Sequence, residues 1–219
     1  MVISIDGPAA SGKSTTAKLL AEKLSYIHLN TGLFYRLVTY IFIKENLFDS
    51  NQETIDNFFN NNKLELKGSN LDNVFWNDKN VSSFLSSSTI NEKIHIISNN
   101  AMIREKLVSM QRLIGSGNNI VCEGRDIGSV VYPDADFKFF LIADLESRIK
   151  RRFIEEKKNN PSLIIEDVRE SLTSRDFNDT NRSNSPLLKP SDSIEVDTTN
   201  MTIEMQVDYI YKLIKQDVK

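Results

Sequence analysis

The sequence predicts an α/β protein in which helices flank a five-stranded parallel sheet, and three observations support this fold class. Short apolar runs alternate along the chain with segments of helical periodicity, which is the pattern of strand–helix–strand units. A glycine-containing segment directly follows the first apolar run, and an amphipathic helix follows that segment. The chain has 219 residues, 40% hydrophobic and 26% charged, as expected for one ordinary globular domain.

The elements of the core are predicted in chain order from these patterns. Five short apolar runs predict strands over residues 2–5, 26–29, 120–123, 137–143 and 194–196. Helical periodicity predicts a helix over residues 15–24, a helix from residue 145 that Asp144 can cap, and a closing amphipathic helix over residues 203–214.

Two excursions interrupt the alternation of strands and helices. Within residues 32–113, the pattern of apolar residues predicts a helix over 33–45, two short strands over 63–67 and 73–75, and a long helix over 91–113. An Asn-rich polar region follows the first helix. A segment of this length is too long for a loop, so we predict an inserted sub-domain with a small β-sheet. Residues 153–162 contain Lys157, Lys158 and Pro161, and we predict a short lid there. The core then comprises residues 1–31, 114–152 and 163–219 of a single domain.

Composition excludes several functional classes. The formal net charge of −3 gives no cationic field for nucleic acid, so we expect no nucleic-acid partner. The sequence contains no apolar run of about 18 residues and no signal peptide, so we expect no membrane partner and a cytoplasmic location. The single cysteine, Cys122, lies in an apolar run and reads as a core residue. No exposed apolar stripe is evident, which favours a monomer.

The first functional motif directly follows the first predicted strand. Residues 7–14 fit the phosphate-binding pattern G-x-x-x-x-G-K-[ST]. The glycines let successive backbone N–H groups face the phosphate oxygens of ATP, Lys13 adds a mobile positive charge, and Ser14 offers a hydroxyl to Mg²⁺. The alternative is that residues 7–14 form an ordinary glycine-rich turn without a ligand. The predicted donor-binding residues here are Gly7, Pro8, Ala9, Ala10, Ser11, Gly12, Lys13, Ser14 and Thr15.

Further motifs extend over almost the whole chain, in order and with consistent spacing. They are Ile5-Asp6-Gly7-Pro8, Asn30-Thr31-Gly32 with Tyr35-Arg36, Glu123-Gly124-Arg125-Asp126-Ile127-Gly128 with Val130-Val131-Tyr132-Pro133-Asp134-Ala135, Arg175-Asp176 with Asp179 and Arg182, and Asp197-Thr198-Thr199. Together they resemble the bacterial cytidylate kinases, the CMP kinases of the nucleoside monophosphate kinase family. The resemblance implies a P-loop kinase fold and the transfer of the γ-phosphoryl group of ATP to CMP or dCMP. Small-molecule substrates are then its expected partners.

Arginines suit a reaction that brings two polyanions together, because guanidinium stays charged and holds phosphate through paired hydrogen bonds. By resemblance, Arg36, Arg125 and Arg182 would grip the acceptor phosphate, and Lys13, Arg125 and Arg182 would be catalytic. A solvated surface position remains the alternative for any one of them.

Three more arginines lie on the helix that leads into the predicted lid. The resemblance implies that Arg148, Arg151 and Arg152 would reach over the donor phosphates. The alternative is a solvated helix face, on which Glu155 and Glu156 pair with the basic run.

Recognition of the acceptor is also assigned by resemblance. Asp126 would face the amino group of cytosine, and Arg104 with Ser98 would face its ring-nitrogen and carbonyl acceptors. Uracil presents a carbonyl where cytosine has its amino group, so CMP is favoured over UMP. The chain is about three residues shorter than the family pattern between Ser98 and Arg104.

Three residues remain open to two interpretations each. Asp179, assisted by Arg175, accepts a hydrogen bond from a ribose hydroxyl, or the two close a helix end as an ion pair. Thr31 donates to the acceptor phosphate, or it caps the helix that follows.

The chemistry requires no general base, because the attacking phosphate oxygen is already ionised. We expect Mg²⁺ on the donor phosphates, with Ser14 and waters as ligands. Asp6, Glu123 or Asp126 would hold those waters, and the sequence does not rank them. Another acceptor, such as UMP, another nucleotide or a small metabolite, is the alternative function. A GTPase-type switch is disfavoured, because the guanine-reading motif Asn-Lys-x-Asp is absent from the sequence.

Overall fold

A computed structural model describes residues 1–158 and 160–217, with the backbone alone described at Asp217. Its main sheet is parallel and has the strand order β2-β6-β1-β7-β8. The strands are β1 (Val2–Asp6), β2 (Ile27–Asn30), β6 (Ile120–Gly124), β7 (Phe137–Ile142) and β8 (Ile194–Asp197). The predicted fold class and all five predicted core strands are therefore confirmed.

Eight α-helices occur in the described part of the chain. They are α1 (Lys13–Leu24), α2 (Gly32–Glu45), α3 (Gln52–Asn61), α4 (Ser88–Asn99), α5 (Ala101–Gly115), α6 (Leu145–Lys157), α7 (Ile165–Asn181) and α8 (Ile203–Asp217). Asp144 caps α6 as predicted, because its carboxylate accepts the backbone N–H of Ser147 at 2.8 Å. A short π-helical turn, Ile127–Val131, follows β6.

The two faces of the main sheet are covered by different sets of helices. Ile3, Ile5 and Leu141 pack with residues of α1 and α8 in one buried cluster. Leu29, Ile120 and Cys122 pack on the other side with α2, α4 and α5. Cys122 is fully buried, as expected of a core residue. Burial on both faces explains why the strands read as nearly continuous apolar runs.

The long insertion contains a three-stranded antiparallel sheet of β3 (Leu64–Lys67), β4 (Asn73–Trp76) and β5 (Lys79–Asn80). The first two strands were predicted, and the third is too short to give a periodic signal. The apolar side chains of this sub-domain join the cluster beneath α2 and α5 rather than forming a separate core. The division of the chain into core, insertion and lid remains a prediction.

Two helical regions differ from the sequence prediction. The single helix expected over residues 91–113 is wrong, because the chain turns at Asn100 between α4 and α5. Asn100 has an extended backbone, and its side chain accepts the N–H of Ile103 at 3.1 Å, so it begins a new helix. Helix α7 was not predicted, because it buries only Val168 and Leu172 and therefore shows little apolar periodicity.

The segment predicted as a lid begins as a continuation of α6, which is helical to Lys157. Asn159, within the predicted lid, lies outside the described residues. Across the part of the chain that the structure covers, no helix has both the length and the apolar character needed to cross a membrane.

Candidate active site

The loop between β1 and α1 has the backbone geometry of a phosphate-binding loop. Gly12 has φ of 93°, and Ala10 is left-handed at φ 58°. A Cβ atom at Gly7 would lie 2.2 Å from the Leu141 carbonyl oxygen, so β7 leaves room only for glycine there. The loop leads directly into the N-terminus of α1, whose free N–H groups favour an anion.

Lys13 lies in the first turn of α1 and is buried, with its ammonium donating to the Pro8 carbonyl at 3.1 Å. Burial, helped by the nearby positive charge of Arg125, lowers the pKa of Lys13 to about 7. Ser14 and Thr15 are exposed at the mouth of the loop, where a donor nucleotide can reach their hydroxyl groups. The Ser11 hydroxyl, in contrast, is buried without a hydrogen-bond partner among the described residues.

A pocket of about 280 Å³ adjoins this loop, between Ala10, Thr15, Arg151, Thr202 and Gln206. Arg151 at its wall donates to both the hydroxyl (3.1 Å) and the carbonyl of Thr198. Arg152, by contrast, pairs with Glu155 at 3.0 Å and Glu156 at 2.7 Å on its own helix.

The ends of β1 and β6 bring two carboxylates beside the loop in different states. Asp6 accepts the backbone N–H groups of Ile127 and Gly128, both at 2.8 Å, and thereby holds the π-helical turn. Burial raises the pKa of Asp6 to about 6. Glu123 is also buried, but its Oε1 has no hydrogen-bond partner in the described part of the chain.

A second cluster forms where β6, α5 and the end of α7 converge. The Asp126 carboxylate forms a buried ion pair with Arg104 and lies 3.5 Å from the Arg182 guanidinium. The Arg104 guanidinium lies over the Tyr35 ring, 5.4 Å from its centroid. The structure thus brings together Arg104, Asp126 and Arg182, three residues that are up to 78 positions apart in the chain.

Arg125 and Asp179 connect this cluster to the phosphate-binding loop. The Arg125 Nε atom donates to Asp179 at 2.7 Å. Burial opposes ionisation of Asp179, but Arg125 and Arg175 together hold its pKa below the usual value. The ion pair that was predicted as an alternative for Asp179 is therefore present, but its partner is Arg125 rather than Arg175.

Arg175 is half-buried on α7 and makes no side-chain hydrogen bond or ion pair with the described residues. Burial, together with the repulsion of Arg125, lowers its pKa to about 9. A guanidinium without a hydrogen-bonded partner in the described residues favours the binding of an anion at this position.

The remaining predicted acceptor residues are occupied by contacts within the protein. Arg36 donates to the Leu85 carbonyl at 2.7 Å and to Asn91 at 2.8 Å. Thr31 donates to the Glu123 carbonyl at 2.9 Å, and its side chain does not cap α2. The Ser98 hydroxyl donates to His95 within its own helix, and only the Ser98 carbonyl contacts Arg104, at 3.2 Å.

Sequence reasoning gave no role to several residues that shape the site. Gln206 of α8 is fully buried, accepts the Thr16 hydroxyl at 2.7 Å and packs against Gly12. Asp176 pairs with Arg148 at 2.5 Å, beneath the phosphate-binding loop. The place of Asp176 between Arg175 and Asp179 in one motif was a signal for it, whereas no local pattern marks Gln206.

A family model described as cytidylate kinase matches residues 3–216. The chain belongs to the cytidylate kinase family. A cytidylate kinase of Chloroherpeton thalassium is 41% identical over 220 residues, covering 97% of this chain and 92% of the relative. A cytidylate kinase of Fusobacterium nucleatum subsp. nucleatum is 38% identical over 216 residues, covering 99% and 98%. The family predicted from the motifs is thereby confirmed.

Comparison with solved structures supports the fold of this cytidylate kinase family member. A crystal structure of an uncharacterized protein from Eubacterium ventriosum superposes with a TM-score of 0.52, covering 98% of both chains. Sequence identity between the two is 13%, so this similarity concerns the fold alone.

Proposed function

We propose that this protein transfers the γ-phosphoryl group of ATP to CMP or dCMP, giving ADP and CDP or dCDP. The observation that carries the proposal is the buried cluster of Asp126 between Arg104 and Arg182, beside a phosphate-binding loop. The loop supports the donor half of the reaction, and the cluster supports an acceptor with both a polar base edge and a phosphate.

The base is proposed to be selected at Asp126. Its carboxylate accepts hydrogen bonds and donates none, so it suits the amino group of cytosine and opposes the carbonyl of uracil. Arg104 supplies donors for the acceptor atoms of the same edge, with Tyr35 supporting its guanidinium. Ser98 is the weaker candidate, because its hydroxyl is directed to His95.

The acceptor sugar and phosphate are proposed to bind along Arg125, Arg175, Asp179 and Arg182, with Arg36 and Thr31 at the edge of the site. The Arg175 side chain makes no hydrogen bond or ion pair with the described residues and so can bind a phosphate, while Asp179 pairs with Arg125. The contacts that Arg36 of α2 makes with Leu85 and Asn91 tie α2 to the start of α4 within the insertion. Acceptor binding would therefore act on α2 and α4 together.

On the donor side, residues 7–15 would hold the phosphates through backbone N–H groups and Lys13. Transfer needs positioning and charge stabilisation more than proton transfer, so Lys13, Arg125 and Arg182 are proposed to stabilise the migrating phosphoryl group. Arg151 adjoins the same pocket and is proposed to face the donor, while Arg152 would first have to leave Glu155 and Glu156.

Magnesium fits this site because two oxygens flank the loop: the exposed Ser14 hydroxyl, and a buried Glu123 carboxylate oxygen that has no partner among the residues the structure describes. When bound, Mg²⁺ neutralises the charge that develops on the donor phosphate oxygens. Both oxygens of Asp6 are used by backbone N–H groups, and Asp126 is paired with arginines. Glu123 is therefore our choice among the three carboxylates for holding magnesium-bound waters.

The function is tested by measuring ADP release with ATP, Mg²⁺ and a panel of CMP, dCMP, UMP, AMP and dTMP. We expect the highest kcat/KM with CMP or dCMP. Faster turnover of UMP, AMP or dTMP would favour the alternative kinase function. ATP binding without any acceptor-dependent ADP release would instead favour a nucleotide-binding module.

The role of Asp126 is tested with Asp126→Asn. The amide can donate to the carbonyl of uracil, so the ratio of kcat/KM for CMP to that for UMP should fall by about tenfold, corresponding to about 1.4 kcal/mol. Lys106→Gln is the control and should leave the ratio unchanged. Lys106 lies on α5, as Arg104 does, but its ion pair with Asp56 is exposed. Equal losses with both acceptors would move Asp126 from base reading to a structural role.

A further inference from the structure

A buried arginine beneath the phosphate-binding loop contacts three separate segments. Arg148 of α6 is 8% exposed. Its guanidinium donates to the Ala9 carbonyl at 3.3 Å, to the Ala143 carbonyl at 3.1 Å and to Asp176 of α7 at 2.5 Å. A guanidinium suits this position, because its planar fork of donors can serve several acceptors at once.

These contacts join the donor side of the site to the acceptor side. Ala9 belongs to the phosphate-binding loop, whereas Asp176 belongs to the helix that carries Arg175 and Asp179. Asp179 in turn pairs with Arg125, which donates to the Gly124 carbonyl at 3.2 Å. A continuous chain of polar contacts thus runs from the loop through α7 to the end of β6.

Apolar packing supports the same connection. Ala9 is buried in a small cluster with Ile149 of α6 and with Val168 and Leu172 of α7. Because α7 buries little else, its position depends on this cluster and on its ion pairs, of which that of Asp176 is the one directed to the phosphate-binding loop. The second oxygen of Asp176, Oδ1, is buried without a hydrogen-bond partner in the described part of the chain, so the carboxylate has unused capacity here.

We propose that the Arg148–Asp176 pair is a positioning device that couples binding of the donor to binding of the acceptor. Movement of Ala9 when the loop closes on phosphate would be transmitted through Arg148 to α7, and so to Arg175 and Asp179. Buried ion pairs often contribute more to a unique geometry than to net stability, and this role uses that property. The pair therefore acts through the substrate-binding residues and does not touch the reacting atoms.

The chain provides a matched control between the same two helices. Arg169 of α7 forms a paired contact with Glu146 of α6, with Nη2 to Oε2 at 2.8 Å. This second ion pair is exposed and does not contact the phosphate-binding loop. Removing it changes the α6–α7 contact without changing the connection to Ala9.

The test measures the CMP dissociation constant by calorimetry, with and without saturating β,γ-methylene-ATP and Mg²⁺. The ratio of the two constants is the coupling factor. If the Arg148–Asp176 pair had a purely structural role, its variants would have the same coupling factor as the wild type. We expect a factor of at least about five for the wild type. Asp176→Asn should lower the factor at least about threefold, and Glu146→Gln should keep it within about twofold of the wild type.

Arg148→Lys is the second variant, in case Asp176→Asn does not fold. Lysine keeps a positive charge near Asp176, but it lacks the planar fork that places Nε at Ala143 while Nη1 contacts Ala9 and Asp176. The coupling factor should fall for this variant as well. A wild-type factor near one, or a wild-type factor retained by a folded Asp176→Asn or Arg148→Lys protein, would overturn the proposal. The proposal rests on the proposed function, and the two fail differently: absence of CMP binding would contradict the function, whereas CMP binding with a factor near one would overturn the coupling alone.

Discussion

Lys13 combines burial with a position at the phosphate-binding loop. Because its pKa is about 7, the Lys13 side chain is largely the neutral amine in the unliganded protein above neutral pH. Donor phosphates favour the charged form and should raise this pKa on binding. At pH 8 a group with a pKa of about 7 is roughly nine-tenths deprotonated. If ATP binding fully protonates Lys13, it should therefore take up about 0.9 proton per site. Calorimetry in two buffers with different ionisation enthalpies measures this uptake directly.

Lys13→Ala should remove the proton uptake and lower kcat by on the order of 10²–10³-fold. The thermal midpoint should stay close to that of the wild type, because the ammonium makes one bond to the Pro8 carbonyl and its burial is costly. Lys18→Ala, further along α1, is the control and should keep both turnover and uptake. Near-normal turnover in Lys13→Ala would show that this residue does not act on the donor phosphates.

At the scale of elements, the join between α1 and α8 fixes the shape of the phosphate-binding loop. Gly12 has φ of 93°, and a Cβ atom there would lie 2.8 Å from the Gln206 Oε1 atom. That oxygen accepts the Thr16 hydroxyl, so a side chain at Gly12 would both strain the backbone and disturb a buried hydrogen bond. The loop therefore depends on a helix that lies near the end of the chain.

Gly12→Ala is expected to lower the free energy of unfolding by about 2–3 kcal/mol and to weaken ATP binding. Gly117→Ala is the matched control, because φ there is 75° but no atom of the described part of the chain lies within 4 Å of its added Cβ. This control should cost about 1 kcal/mol, from backbone strain alone. Chemical denaturation measures both. Equal losses would show that contact with Gln206 contributes nothing to the loop.

At the scale of the whole molecule, the two proposed substrate sites draw residues from segments along the whole length of the chain. Ligands that bind the folded state alone should therefore stabilise the protein by mass action. At 100 times its dissociation constant, CMP is expected to add about 2.7 kcal/mol. For a chain of this size, that corresponds to a rise of about 5–10 °C in the thermal midpoint.

Differential scanning calorimetry with CMP, UMP and no ligand, at equal concentrations, measures this stabilisation. UMP should give a smaller rise than CMP, because Asp126 opposes the carbonyl of uracil. An equal rise with both nucleotides would indicate that selection between them does not occur at the binding step.

Much of the fold could be predicted because it depends on patterns of residues that are close in the chain. The five core strands are short apolar runs, and α1 and α8 carry an apolar face with helical spacing. The phosphate-binding loop could also be predicted, because its chemistry requires a glycine-rich turn, a lysine and a hydroxyl in a fixed order. Helix α7 was missed because most of its surface is polar and only two of its side chains are buried.

The main sheet, the phosphate-binding loop and the family follow from the sequence, because each depends on residues that are close in the chain or on motifs in fixed order. The pairing of charges across long separations follows only from the packing of the elements: Asp179 with Arg125, Asp176 with Arg148, and Asp126 with both Arg104 and Arg182. The structure also distinguishes Glu123 from Asp6, because within the described ranges only Glu123 of these two has a carboxylate oxygen without a hydrogen-bond partner. The physical reason is that ion pairs and burial depend on distances between elements, which local sequence does not specify.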